Sequence, residues 1–174
     1  MLRGVNVGKG KRVPMAALRA LLVDMGYTDV TTLLNSGNVV FSAAKGAPAV
    51  HAAAIAAAVS RELNVDVPVV VKSASELAGI VAGNPLAAGA FDPSRLLVAY
   101  VQDEKSLAGL AVVAAHVVPP ERFAIGTKAA YLHCPNGILG SKAGEVLLGK
   151  AGTMATTRNW STTLKLNALA NRQA

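Results

Sequence analysis

Short β-type runs and helix-type segments follow one another along this chain in one order, and that order occurs twice. In the first pass a short strand precedes Pro14. Pro14 opens a helix whose apolar face carries Leu18, Leu21, Leu22 and Met25, and Gly26 stops it. Val30–Leu34 and Val39–Phe41 are β-type runs on either side of Asn35-Ser36-Gly37-Asn38, which is turn chemistry, so they read as a hairpin. Pro48 opens an alanine-rich helix that ends near Leu63. Val67–Val71 follows as a strand, with Pro68 near its start where a missing N–H is tolerated.

The second pass begins after a connecting helix, Ser73–Val81, capped by Ser73 or Ser75 and closed by Asn84-Pro85. Leu96–Val101 is a buried strand and Glu104–Ala115 a helix. Glu121–Ile125 and Ala129–Cys134 are strands joined by Gly126-Thr127-Lys128. Ser141–Leu148 is a helix, Thr153–Thr157 a short strand, and Trp160–Ala170 a closing helix. Two β-α-β-β-α-β passes predict an α+β fold of two tandem ferredoxin-like (βαββαβ) subdomains with a C-terminal helix. The expected divisions are 1–74 for the first subdomain, 75–91 for the connecting helix and loop, and 92–174 for the second subdomain with its closing helix. The repeat rests on element order alone, since the halves share no visible identity.

A chain of 174 residues is long enough for one compact domain or two small ones, and 52% apolar with 16% charged residues excludes disorder. No apolar run reaches the roughly 18 residues of a membrane span. Met1-Leu2-Arg3-Gly4 leads directly into a basic glycine-rich stretch, so no signal peptide is expected. Cys134 is the single cysteine, which precludes an internal disulfide and suits a reducing cytoplasm.

Charge is placed unevenly. Residues 1–23 carry Arg3, Lys9, Lys11, Arg12 and Arg19 with no acid, and residues 122–174 carry seven bases against Glu145 alone. The stretch between holds five bases and nine acids. Basic ends of this kind attract phosphate, acidic metabolites or nucleic acid where they meet, and otherwise form a solvated surface.

Leu2-Arg3-Gly4-Val5-Asn6-Val7-Gly8-Lys9-Gly10-Lys11-Arg12 is the most distinctive stretch. It is a strand end, a basic glycine-bearing loop and then the helix start at Pro14. Glycines let backbone N–H groups approach a ligand, and a helix N-terminus favours an anion. It is not a P-loop, because one residue too few separates Gly4 from Gly8 and Gly10 stands where Ser or Thr would meet magnesium. Val13 in the third glycine position rules out the dinucleotide fingerprint. Two readings stand: an anion-binding loop, or an exposed basic turn.

Topology adds to the motif. In a β-α-β-β-α-β sheet the first two strands run parallel, so the loop after the first and the turn after the second leave the same end. That brings Asn6–Arg12 near Asn35–Asn38. The turn residues then either satisfy a hairpin's need for positive φ or, through Asn35, Ser36 and Asn38, supply hydrogen bonds to a ligand held by Arg3 or Lys11. Further along, Asn159 or Ser161 is a candidate cap for the last helix and Trp160 a core cover. Arg158 is either part of that structure or a planar anion clamp. Ser141-Lys142 reads as a helix cap.

Other chemistry is thinly represented. His51, His116 and His133 lie far apart with no carboxylate or cysteine at metal-ligand spacing, so no metal is expected. His133 and Cys134 are strand neighbours that point to opposite faces. Ser36 lacks a nucleophile elbow, and no carboxylate pair is placed for hydrolysis.

Leu2-Arg3-Gly4-Val5-Asn6-Val7-Gly8, Val13-Pro14-Met15 with Leu18-Arg19, and Asn35-Ser36-Gly37-Asn38-Val39 together closely resemble the bacterial domain of unknown function family 1697. Gly140-Ser141-Lys142, Thr156-Thr157-Arg158-Asn159-Trp160 and Thr163-x-Lys165-Leu166 are similar to that family's closing motif. The resemblance implies the duplicated ferredoxin-like fold and brings no established activity. It also implies an apolar first strand beginning several residues earlier, so the first strand is expected to be a few residues long, around Leu2 to Val5.

The sequence therefore points to a cytoplasmic protein that binds a phosphate-bearing or other anionic small ligand, with no cofactor and no membrane. The expected ligand-binding residues are Arg3, Asn6, Gly8, Lys11, Asn35, Ser36, Asn38 and Arg158. Two alternatives remain: a nucleic-acid-binding module using the basic ends, with Phe41, Tyr100, Phe123 and Tyr131 as its strand aromatics, and a scaffold or oligomerising protein without a ligand.

Overall fold

A computed structural model of the chain describes residues 1–8, 11–89 and 91–173. Among them the fold is mixed α+β, with six α-helices and two antiparallel sheets. The chain divides into two compact units. The first comprises Met1–Ala74 with the C-terminal stretch from Leu166, and the second Ser75–Lys165.

In the first unit, Pro14 precedes α1 (Met15–Asp24), which buries Leu18, Leu21 and Leu22. The hairpin follows as β1 (Thr28–Leu33) and β2 (Asn38–Ser42), paired antiparallel. Proline again starts α2 (Pro48–Leu63), where its missing N–H costs nothing, and Asn64 at φ 53° closes the helix in the left-handed conformation. Leu2, Val5, Val13, Leu22, Val30, Ile55, Val59 and Val69 form the core of this unit.

The expected first and fourth strands of this unit are reduced to one antiparallel bridge, Leu2 to Val69. The N-terminal segment nevertheless has partners on two sides. The Leu2 N–H donates to Gly37 O at 2.9 Å, the Arg3 N–H to Pro68 O at 3.0 Å, and the Val70 N–H to Met1 O at 2.9 Å. Pro68 has no N–H to add a further rung, which limits the ladder.

β1 departs from a regular strand at Asp29, whose φ of 51° accompanies a register shift between Thr28 and Thr31. Side chains occupy carbonyls along it: Gln173 Nε2 donates to Asp29 O at 3.0 Å, and Arg19 Nε to Val30 O at 3.0 Å. Carbonyls used in this way are withdrawn from strand pairing with another chain.

The second unit contains α3 (Ala74–Ala82), β3 (Leu96–Tyr100), α4 (Glu104–Gly109), β4 (Arg122–Ile125), β5 (Ala129–His133), α5 (Lys142–Leu148), β6 (Thr156–Asn159) and the start of α6 (Trp160–Gln173). Its sheet has strand order β4-β5-β3-β6, every neighbouring pair antiparallel. One face carries Ala99, Val101, Ala130, Leu132 and Cys134, packed with Leu107, Leu110 and Leu147. On the other face Tyr131 Oη donates to Ile80 O of α3 and Tyr100 Oη to Thr163 Oγ1 of α6, both at 2.8 Å.

The single helix expected over Glu104–Ala115 is instead α4 followed by a 3-10 helix, Leu110–His116. Leu110 and Val113, both fully buried, are three residues apart, a spacing that suits three residues per turn. The strand expected at Thr153–Thr157 begins at Thr156, after a turn in which a Cβ on Gly152 would collide with the Leu147 carbonyl.

Candidate functional site

The loop ahead of α1 is organised by Asn6, which stands at φ 57°. Its Nδ2 donates to Val13 O at 2.7 Å and to Asn35 O at 2.9 Å, while its Oδ1 accepts from the Val13 N–H at 2.9 Å. The Asn6 N–H also donates to Lys11 O at 2.8 Å. One side chain thus ties the loop to the entry of α1 and to the hairpin turn. Asn6 and Asn35 meet through the bond from Nδ2 to Asn35 O.

The turn itself is held from within. Leu34 (φ 58°) and Gly37 (φ 73°) adopt the left-handed conformation, so neither Asn35 nor Asn38 supplies the positive φ. Asn38 is fully buried, and its Nδ2 donates to Leu33 O at 3.1 Å and to Ser36 Oγ at 3.0 Å. A Cβ on Gly37 would lie 2.6 Å from Val5 Cγ2 and 2.9 Å from Leu2 Cβ, so the turn rests directly on the N-terminal segment. Asn6 and Asn38, expected to face a ligand, spend their side-chain hydrogen bonds on loop and turn.

The cations lie around this framework. Lys11 is exposed, and its Nζ donates to Asp66 O. Arg12 is exposed, with Nη2 donating to Gly8 O at 3.0 Å. Arg3 is half-buried beside Leu2 and Gly4, and Gly8 is exposed at φ 51° with open space around its Cα. Lys9 and Gly10, part of the expected loop, lie outside the described residues. The Asp66 carbonyl was not foreseeable as a partner for Lys11, because 55 residues separate them and a main-chain acceptor leaves no signature in sequence.

Arg158 belongs to the second unit and is 9% exposed. Its Nη1 donates to Thr156 Oγ1 at 2.8 Å and to Thr157 O at 2.7 Å, and burial lowers the guanidinium pKa to about 10. Asn159 Oδ1 accepts from the Thr162 N–H at 2.9 Å, which is the expected helix cap, and Trp160 is buried. Ser141 caps α5 through Gly144 N–H at 2.9 Å.

The remaining candidates are enclosed. Tyr100 and Tyr131 are buried beneath α6 and α3, and burial raises both phenol pKa values, to about 12 for Tyr131. Phe123 packs against the core, and Phe41 packs against Tyr27 with ring centroids 4.4 Å apart and the rings tilted by 45°. Cys134 is buried, and burial pushes its thiol pKa up, away from the reactive thiolate. Among the described residues no three of His, Cys, Asp and Glu come together as a metal site. No helix among them is long and apolar enough to cross a membrane.

Residues 1–131 match the family described as "Protein of unknown function (DUF1697)". Among solved structures, the chain is similar to the conserved bacterial protein SP0830 from Streptococcus pneumoniae, with a TM-score of 0.75 and 20% sequence identity over 98% of this chain and 96% of that one. At that identity the likeness is one of fold. No curated protein matches the chain.

Proposed function

Since the chain belongs to the DUF1697 family, whose description carries no activity, we propose its function from its own geometry: it binds an anionic small ligand where the Arg3–Arg12 loop meets the Asn35–Asn38 turn. The observation that carries this reading is the Asn6 amide, bonded to Asn35 O and to both backbone groups of Val13. An exposed basic turn needs no such brace. A loop that must hold its N–H groups and flanking cations in fixed positions does, because ordering before binding lowers the entropy cost of capture. Arg3, Lys11 and Arg12 supply the charge, and Asn6, Ser36 and Asn38 the framework. Arg158 is left out of this site because its guanidinium is buried against Thr156 and Thr157.

The finer fold assignment belongs to the same reading. Both units follow the ferredoxin-like plan, which the order β4-β5-β3-β6 supports in the second. In the first unit, support comes from the bonds that set Met1–Arg3 between Gly37 and Pro68–Val70. The lone, buried thiol of Cys134 supports a cytoplasmic location. The nucleic-acid alternative draws on a net charge of +7, but Tyr100 and Tyr131, which would stack bases, are buried.

Calorimetric titration of the intact chain with inorganic pyrophosphate at low salt tests the reading. Saturable one-site binding is expected, weakened in Arg3→Ala and Lys11→Ala with thermal stability nearly unchanged. Absence of binding, or equal binding by both variants, overturns it. Tighter binding of a single-stranded oligonucleotide with a steep salt slope would favour the alternative.

A further inference from the structure

His133 closes β5 on the face of the second unit's sheet that carries Tyr131, two residues before it. It is 9% exposed, and its Nδ1 is buried with no hydrogen-bond partner. Native proteins leave few buried polar atoms in that state. The neutral ring tolerates it, because Nδ1 can stand as a bare acceptor while the single proton sits on Nε2. The imidazolium carries a proton on both nitrogens, so protonation places a charged donor at Nδ1 with nothing to receive it.

The surroundings supply no compensating anion. Arg122 of β4 stands directly opposite His133 in the strand register, and Leu96 of β3 on the other side. Residues directly opposite share a face of the sheet, so the charge facing the imidazole from β4 is a guanidinium. Tyr131 has committed its hydroxyl to Ile80 O. Glu76, the titratable residue of α3, is paired with Lys128 just before the far end of β5. β6 and the start of α6 contribute the cations Arg158 and Lys165, and Glu121, ahead of β4, accepts from the Val118 N–H. From the segment before β3, Phe91 meets the imidazole edge to face, at 5.8 Å between centroids and 67° between planes. Asp92 in that segment is spent on the Ser94 N–H and the Arg95 guanidinium. Burial and then the Arg122 charge accordingly lower the His133 pKa.

We infer that His133 is a proton-operated latch: neutral, it holds Phe91–Pro93 closed over the end of β5, and protonated, it leaves that contact and the segment opens. The opening is local, because the Tyr131 to Ile80 and Tyr100 to Thr163 bonds hold α3 and α6 on the sheet independently of it. The segment also reaches the one tryptophan of the chain. Pro93 O accepts from the N–H of the buried Trp160 at 3.1 Å, so intrinsic fluorescence reports the opening.

Tryptophan emission of the intact chain between pH 7.5 and 5, with far-UV circular dichroism recorded alongside, tests the latch. A one-proton red shift is expected, centred below the ordinary imidazole value of ~6.5, with the dichroism unchanged. The His133 Cε1 proton resonance should titrate with the same midpoint. His133→Gln should abolish the shift, whereas His51→Gln and His116→Gln should keep it. Phe91→Ala admits water to the ring and should move the His133 midpoint up toward the ordinary value. The parent's own resonance and the Phe91→Ala midpoint decide the matter even where His133→Gln does not fold. A shift that persists in His133→Gln, or dichroism lost in step with the emission, would overturn the latch. So would flat emission across the titration of His133, or a midpoint that falls in Phe91→Ala, the sign of a ring that stabilises the imidazolium.

Discussion

Replacing Asn6 by alanine removes three hydrogen bonds at 2.7, 2.9 and 2.9 Å and leaves a β-carbon at φ 57° with nothing to hold it there. At roughly 0.5–1.5 kcal/mol net for each bond, the lost interactions amount to about 2–4 kcal/mol. The left-handed backbone adds about 1 kcal/mol for alanine, which lacks the local bonding that lets asparagine occupy that region. Val13, fully buried, would be left with an N–H and a carbonyl deprived of their side-chain partner, so the upper part of this range is expected. Asn6→Gly loses the same bonds without the backbone strain and should be about 1 kcal/mol less damaging. Urea unfolding followed by circular dichroism, with amide exchange to report on the first unit, measures both variants. A loss below about 1 kcal/mol for Asn6→Ala would show that the amide does not brace the loop. Glycine as damaging as alanine would refute the role given to the left-handed backbone.

Gly37→Ala, whose new methyl would lie 2.6 Å from Val5 Cγ2 at a φ of 73°, should destabilise the protein by about 2–4 kcal/mol in the same assay, while Gly89→Ala, which has open space around it, should cost less. Tyr100→Phe strands the buried Thr163 hydroxyl and should cost about 1–3 kcal/mol, with no effect on phosphate binding. His133 has its pKa lowered by burial and then by the neighbouring Arg122 charge, so the unfolded chain binds its proton more readily. Its contribution is therefore fully present above the unfolded value near pH ~6.5 and is lost as pH falls from there through the folded value. The urea midpoint should drop between pH 7.5 and 5.5, and His133→Gln should flatten that slope.

What the sequence makes legible is what depends on neighbours along the chain. Pro14 and Pro48 mark helix starts because a missing N–H is free only there, and Ser141 and Asn159 mark caps because their oxygens reach N–H groups three residues on. The hairpin is legible from Asn35-Ser36-Gly37-Asn38, yet its positive φ values fall on Gly37 and on the exposed Leu34 rather than on either asparagine. The bulge at Asp29 answers to Gln173, 144 residues away, and no local pattern announces it. Nearness of loop and turn, seen in the Asn6 to Asn35 bond, is an expectation of the strand order read from sequence. That Asn6 would act as the brace is not, since the same residue at a loop tip reads equally as a ligand-facing amide.

The central claim is that this end of the first unit holds an anion, and a crystal structure of the intact chain soaked with tungstate tests it most directly. Tungsten gives a strong anomalous signal and presents oxygens in the arrangement of phosphate. The account predicts one dominant anomalous peak where the Arg3–Arg12 loop meets the Asn35–Asn38 turn, flanked by Lys11 and Arg12, and its loss on competition with pyrophosphate. A dominant peak elsewhere on the molecule, with the loop unoccupied, would contradict it.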